Sequence, residues 1–326
     1  MSAKLILVTW LTTLALIVVS AYMHLTNVGI ERSIGAVDYG VIVDAGMPKA
    51  GKLNTAVTAI TPSAFADRLH RGVANLLEVL IVAVLVMGWI TRKNHQSGSS
   101  LTLPVLGLLV SLVLAFLGAW YGSPLRYPWI MILNLAGGYA LFAIYWWLTM
   151  GLYSVAHSTR AKSHSLRLWV KVTLVLVVLQ ILLGAWTDAY YAAFSNPRGS
   201  DWTAGWSFSL LWQGVGLLGQ LQVDGSGQVI TDPNVAVSIR TSHLAVAIPV
   251  FIVAFWLTWQ AWNVGERLQL PAMVLAIMLL AQLTVGLVMV WVGMSLLLVV
   301  AHTILAALIL LGLLTLLHRL LPHASS

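Results

Sequence analysis

Eight apolar runs, near residues 5–23, 72–91, 101–121, 129–150, 168–188, 243–263, 270–291 and 296–317, alternate with polar segments along the chain. Each run approaches the roughly 20 helical residues that cross a hydrocarbon core about 30 Å thick. The pattern predicts an all-α polytopic membrane protein of eight transmembrane helices. Two long polar segments, about 24–71 and 189–242, carry both charge signs and many Gly, Ser, Asn and Pro residues; they are expected to be partly ordered caps. The stretch Trp202–Leu221 is also apolar but holds Gly205, Gly214, Gly216 and Gly219, and is read as an interfacial helix rather than a ninth span. The first run, with Lys4 ahead of it and Val19, Ser20 and Ala21 near its end, resembles a signal peptide in outline. It is assigned as a span because an internal repeat uses it.

Composition agrees with this reading. Of 326 residues 60% are apolar and 8% charged, against about 25% charged in soluble domains, too few to coat a water-facing globule. The net charge of +7 would ordinarily suggest an anionic partner, but its placement matters more than its size. Arg92, Lys93, Arg160, Lys162, Arg167 and Lys171 follow spans 2 and 4 with no acid among them, and Lys4, Arg267 and Arg319 join them on the same side against Glu266 alone. That side is predicted to be cytoplasmic, with both termini inside and the long polar segments outside; the lipid bilayer, not nucleic acid, is the partner expected for this charge. The absence of cysteine excludes disulfides, thiolate metal sites, covalently attached c-type haem and thiol nucleophiles.

The odd-numbered spans carry a small residue at one equivalent place: Ser20 in the first, Gly118 in the third, Gly184 in the fifth and Gly286 in the seventh. Sixteen positions separate Gly118 from Asn134, and sixteen separate Gly286 from His302. The spacing predicts two pseudo-symmetric four-helix bundles, residues 1–160 and 161–326, related as a parallel repeat about an axis along the membrane normal. Close helix packing is the plainer explanation for the small residues.

Nine histidines are present. His95, His157, His164, His318 and His323 fall in cytoplasmic loops or tails, where solvation is expected, and His24 lies at the outer end of span 1. His70 opens span 2, His243 opens span 6, and His302 lies just inside span 8; the repeat places Asn134 in span 4 at the fourth such position. An ionisable group within a span is costly and suggests function, although any one histidine is explained equally by a hydrogen bond to a neighbouring helix. Together, imidazoles without cysteine or a carboxylate cluster fit axial ligation of haem better than zinc. The residues one turn further on, Ala74, Gly138, Ala247 and Ala306, are all small and leave room for a flat macrocycle. His243 and His302 would fill both axial positions of one iron, whereas His70 opposite Asn134 would leave a position open. Arg68, Arg71 and Arg240 are placed to pair with propionates, or serve as ordinary interfacial anchors.

Two acids stand out. Asp67, three residues before His70, shares its helical face and would relay a proton or orient a substrate, or else cap the helix. Glu78 is the acid well inside a predicted span, either a buried protonated or paired group or part of a proton route. No nucleotide loop, serine elbow or zinc run is present, and the interrupted helices that would suggest a transporter are not evident.

In these features the chain resembles the haem A synthase family. The resemblance covers nearly the whole chain and is carried by Gln180–Ala185, His243, Gln282–Gly286, the run Ala301, His302 to His318, Arg319, Leu320, and the segment Asp67, Arg68, Leu69, His70, Arg71. It implies a membrane oxidoreductase of cytochrome oxidase biogenesis, in the cytoplasmic membrane of a prokaryote, that oxidises the C8 methyl of haem O to a formyl group in the first half. It also implies a b-type haem held through iron by His243 and His302 toward the outer side. Asp67 would be the catalytic carboxylate and His70 would face the substrate haem, beside Asn134, Ala74 and Gly138. A haem O synthase and an electron donor are the partners implied, and a homo-oligomer stays open. Asn134 stands where the family has a second first-half histidine, Asp67 where Glu is usual, and the outer-loop cysteine pair of some members is absent. A non-catalytic haem-binding assembly factor and a b-type electron-transfer protein are the alternatives.

The orientation is testable with reporters fused after Ser326. A fluorescent protein there is expected to fluoresce and an export-dependent phosphatase to stay inactive; active phosphatase would reverse the assignment.

Overall fold

The computed structural model describes residues 2–25, 62–94, 101–120, 127–152, 163–190, 192, 206–216, 218, 222–223, 229–230, 232–292 and 295–321. In chain order the helices are α1 (Ala3–Leu25), α2 (Pro62–Asn94), α3 (Thr102–Trp120), α4 (Pro128–Leu152), α5 (Ser163–Ala189), α6 (Phe208–Gly216), α7 (Pro233–Val264), α8 (Glu266–Val292) and α9 (Leu296–Arg319). Two-residue strands β1 (Gln222–Val223) and β2 (Val229–Ile230) pair antiparallel before α7, Gln222 opposite Ile230. Seven helices are long and apolar enough to cross a membrane, and α3 contributes a shorter apolar stretch, Thr102–Gly118. The chain is a helical, multi-pass membrane protein.

Two predicted boundaries shift. His70 and His243 do not open their helices: α2 begins at Pro62 and α7 at Pro233, two or more turns earlier. At α7 the reason is local, because the Asp232 carboxylate accepts from the N–H groups of Asn234 and Val235 and Pro233 supplies a helical φ. An apolar-run criterion overlooks such polar first turns. Asp67 lies in the second turn of α2, so it is not the helix cap. Among the described residues of the Trp202–Leu221 stretch lies α6, nine residues and about 13 Å long, too short to span.

α6 forms a roof on α7. The Trp206 indole donates to Ser242 Oγ at 3.1 Å, the Ser207 N–H donates to Ser238 Oγ at 3.2 Å, and Gly214 admits Ile239, Trp186 and Val235 so closely that a Cβ there would meet them at 3.0–3.2 Å. Tyr190, outside the spans, is buried beside this roof, and burial raises its phenol above the ordinary range. α7 and α8 are separated by Gly265 alone, at φ 139°, a conformation that favours glycine.

α1 packs on α2 and α4, and α3 on the same two; α5 and α8 likewise pack on α7 and α9. α1, α4, α5 and α9 join these groups along a seam. There Trp10 stacks on Phe142 with centroids 5.2 Å apart, the Tyr139 hydroxyl donates to the Thr303 carbonyl at 2.9 Å, and the Trp146 indole donates to Thr315 Oγ1 at 3.0 Å. Large apolar residues point outward elsewhere, Val79, Ile252 and Trp291 among them, as expected where lipid is the solvent. His318 is not solvated: it lies within α9, half-buried, its ring 5.2 Å from Trp147 in a T-shaped contact.

On α4, a Cβ on Gly137 would lie 2.6 Å from Leu114 Cδ2 of α3. Gly137→Val is expected to lower stability by about 1–3 kcal/mol through overpacking, seen as a lower melting temperature in detergent. Adding Leu114→Ala should recover part of the loss; a melting temperature unchanged by Gly137→Val would contradict this packing.

Candidate functional site

α7 and α9 each hold one half-buried imidazole against a helix that precedes it in the chain. On α5, Gln180 Nε2 lies 3.1 Å from His243 Nδ1 and also donates to the His243 carbonyl at 3.0 Å. On α8, Gln282 Nε2 lies 3.0 Å from His302 Nε2. One turn along each glutamine helix a glycine faces the same ring: a Cβ on Gly184 would stand 3.1 Å from His243 Cε1, and one on Gly286 would stand 3.5 Å from His302 Cε1. The small residues of α5 and α8 therefore make space for imidazoles as well as for helix packing. A side chain at Gly184 would push the His243 ring out of place.

α1 and α2 repeat the arrangement with different chemistry. Ser20, the repeat counterpart of Gly184, has its Oγ 3.1 Å from His70 Nδ1. At the fourth position Gly118 of α3 has nothing within 4 Å of its Cβ direction, and Asn134 of α4 is half-buried. Spacing thus led to the histidines, but Gln180, Gln282 and Ser20 were not recognised as their partners. The available signal was the shared interval: Gln180 precedes Gly184, and Gln282 precedes Gly286, by one helical turn.

The electrostatics differ between the two groups of helices. His302 is close enough for its charge to act on His243, and the His302 Nδ1 atom is buried without a hydrogen-bond partner. The amide oxygens of Gln180 and Gln282 are likewise buried and unpartnered. Each glutamine amide donates to one ring nitrogen, which therefore accepts, and the ring N–H lies on the other nitrogen. Among the described residues no three His, Asp or Glu side chains cluster as they would to hold a bare ion.

Asp67 and Arg71 form an ion pair of 2.9 Å on the exposed side of α2, next to His70. Screening by solvent makes such an i,i+4 pair a weak stabiliser, so both groups can exchange partners cheaply. Arg68 is exposed and Arg240 half-buried one turn before His243. Ala74 is half-buried, Gly138 is buried with a Cβ direction 3.4 Å from Ile17, and Ala247 and Ala306 are half-buried one turn beyond their histidines. His24 and His164 have side chains outside the described residues, as do His95, His157 and His323 in full.

Fold and site define a multi-pass membrane protein with half-buried imidazoles that neighbouring helices hold in place. A family model described as cytochrome oxidase assembly protein matches residues 45–314. Heme A synthase of Shewanella oneidensis is 26% identical over 98% of this chain and 96% of its own length, and heme A synthase of Listeria welshimeri is 21% identical over 76% of this chain and 75% of its own. The chain belongs to the haem A synthase family of cytochrome oxidase assembly proteins.

Gln180→Leu is expected to release His243 at a cost of about 1 kcal/mol for the lost hydrogen bonding. Gly184→Val should displace the ring sterically. Both variants should bind haem more weakly than wild type in titrations of the purified protein, Gly184→Val the more severely; undiminished haem affinity in both would separate these contacts from ligand binding.

Proposed function

We propose that this chain is a haem A synthase: it takes haem O as substrate and oxidises its C8 methyl to a formyl group. The observation that carries the reading is the pair of half-buried imidazoles of α7 and α9, each backed by a glutamine and a glycine from a neighbouring helix. These residues fit a b-type haem, whose iron His243 and His302 would hold. When bound, such a group supplies a one-electron redox centre. Gln180 and Gln282 orient the rings, Ala247 and Ala306 leave room beside them, and Arg240 offers a propionate its charge.

The substrate would occupy the corresponding place among α1–α4. His70, steadied by Ser20, faces its iron; Asn134 leaves the opposite side open; Ala74 and Gly138 give the macrocycle clearance. Arg71 exchanges its intrahelical carboxylate for a propionate, with Arg68 beside it. That exchange leaves the Asp67 carboxylate free next to the reacting edge, where it accepts a proton as the methyl group is oxidised. The two halves, residues 1–160 and 161–326, thus divide the work between substrate and resident cofactor. α3 completes an eight-span topology in the cytoplasmic membrane, both termini inside and both sites toward the outer face. A haem O synthase supplies the substrate, and a redox partner exchanges electrons with the retained haem.

Asn134 favours a second reading, a haem-binding assembly factor that performs no oxidation. Coexpression with a haem O synthase, followed by chromatography of extracted pigments, separates the two. Haem A is expected from the wild type and is expected to vanish in Asp67→Ala and His70→Ala. His243→Ala and His302→Ala should each remove a low-spin b-type signal from reduced-minus-oxidised spectra. Haem O or haem b with no haem A from the wild type would leave the assembly reading, and spectra unchanged in both histidine variants would remove the ligand assignment.

A further inference from the structure

Beyond the two imidazole sites, α2, α3 and α4 converge on a polar group whose acid is half-buried. Glu78 of α2 lies more than three turns inside its helix, and its hydrogen-bond partner is Ser111 of α3, 3.0 Å from Oε2. Ser111 Oγ is also 3.0 Å from the Leu108 carbonyl of its own helix. A hydroxyl has one hydrogen, so it cannot donate to both acceptors at once. If Glu78 were a carboxylate, either the carboxylate or the carbonyl would lose that hydrogen. A proton on the Glu78 carboxyl would let it donate to Ser111 Oγ while Ser111 donates to Leu108. Tyr145 of α4 is fully buried, with its hydroxyl lacking a partner, and it is near enough to be affected by the Glu78 charge. That hydroxyl lies against Gly107, where a Cβ would meet it at 2.9 Å. α1 packs Ile6, Leu16 and Trp10 on the same cluster, the Trp10 indole N–H buried without a partner, and among the described residues no cation pairs with Glu78.

The repeat shows that this group is particular to the first half. Aligning His70 with His243, Gly118 with Gly286 and Asn134 with His302 places Glu78 opposite Phe251, Gly107 opposite Leu275, Ser111 opposite Leu279 and Tyr145 opposite Leu313. Those four second-half residues lie together in one apolar core, with Leu275, Leu279 and Leu313 fully buried or nearly so. The contact geometry agrees: Leu275 approaches Gly312 across α8 and α9, as Tyr145 approaches Gly107 across α3 and α4. Where one half has a hydrocarbon plug, the other has an acid, a hydroxyl and a phenol. An acid within a membrane span is costly and by default suggests function.

We infer that Glu78, Ser111 and Tyr145 form a proton-exchange site serving the half that handles the substrate, with Glu78 as the proton carrier. The exchange moves no electrons. The Glu78 O–H bond breaks and its proton passes to water; Ser111 then turns its hydrogen from Leu108 to the carboxylate, and the Tyr145 hydroxyl supplies a second donor. Reprotonation reverses each step. The serving role rests on the proposed oxidation of haem O, which has to dispose of protons from the methyl group; the proton-carrying role does not.

Infrared spectroscopy of the purified full chain tests the carrier directly. The carbonyl-stretch region of protonated carboxylic acids should contain a band that Glu78→Gln removes, that shifts in D₂O, and that moves to higher frequency in Ser111→Ala as a hydrogen bond is lost. A spectrum there identical in wild type and Glu78→Gln, or a band that never exchanges with D₂O, overturns the proposal. In coexpressing cells Glu78→Gln should lower the haem A yield at least tenfold while its b-type spectrum stays as in wild type; an undiminished yield overturns the serving role. If the wild type makes no haem A, the proposed function fails, and the infrared band still decides the carrier.

Discussion

The organisation of this protein depends on one constraint: an imidazole within a membrane-spanning helix has to find its hydrogen-bonding partner on another helix, because lipid offers none. Gln180 and Gln282 meet that requirement for His243 and His302, and Ser20 meets it for His70. Each contact fixes the rotation of two helices about their axes and the depth at which they cross. Glycine at positions 184 and 286 then follows, since the ring occupies the space a side chain would need. Helix packing and the preparation of a ligand site are here the same contacts.

The seam between the two groups of helices couples their sites. The Tyr139 hydroxyl binds the carbonyl of Thr303, the residue after His302, and Tyr139 lies little more than one turn beyond Asn134 on α4. A displacement of α9 would therefore be transmitted to α4, which carries Asn134. The roof formed by α6 on α7 anchors at Ser238 and Ser242, the latter adjoining His243, and closes that end of the second group with an interfacial segment instead of a span.

Internal symmetry makes the differences between the halves informative. Glutamine and glycine recur against the second-half histidines, whereas Leu16 and Ser20 occupy those places before His70. A serine holds a ring less firmly than an amide that grips both ring and backbone, which suits a site that exchanges its occupant. The acid, hydroxyl and phenol of Glu78, Ser111 and Tyr145 replace an apolar core in the same sense. The half with a tightly held histidine pair has a hydrocarbon interior, and the half with one histidine has a polar one.

The membrane class, the helical nature of the predicted spans and the candidate histidines were legible in the sequence because each is a local property: hydropathy over twenty residues, or an ionisable residue where lipid forbids one. The family resemblance was legible for the same reason, as short runs such as Gln180–Ala185 and Gln282–Gly286. The true starts of α2 and α7 were not, since polar turns beginning at Pro62 and Pro233 are helical without being apolar, and helix caps carry that information instead of hydropathy. Nor were the partners: which side chain meets His243, that Asp67 turns to Arg71, that His318 packs on Trp147, and that Glu78 shares Ser111 with a backbone carbonyl. Those outcomes depend on the rotation of each helix against its neighbours, which spacing along one strand of chain leaves open and only the packing of all the helices decides.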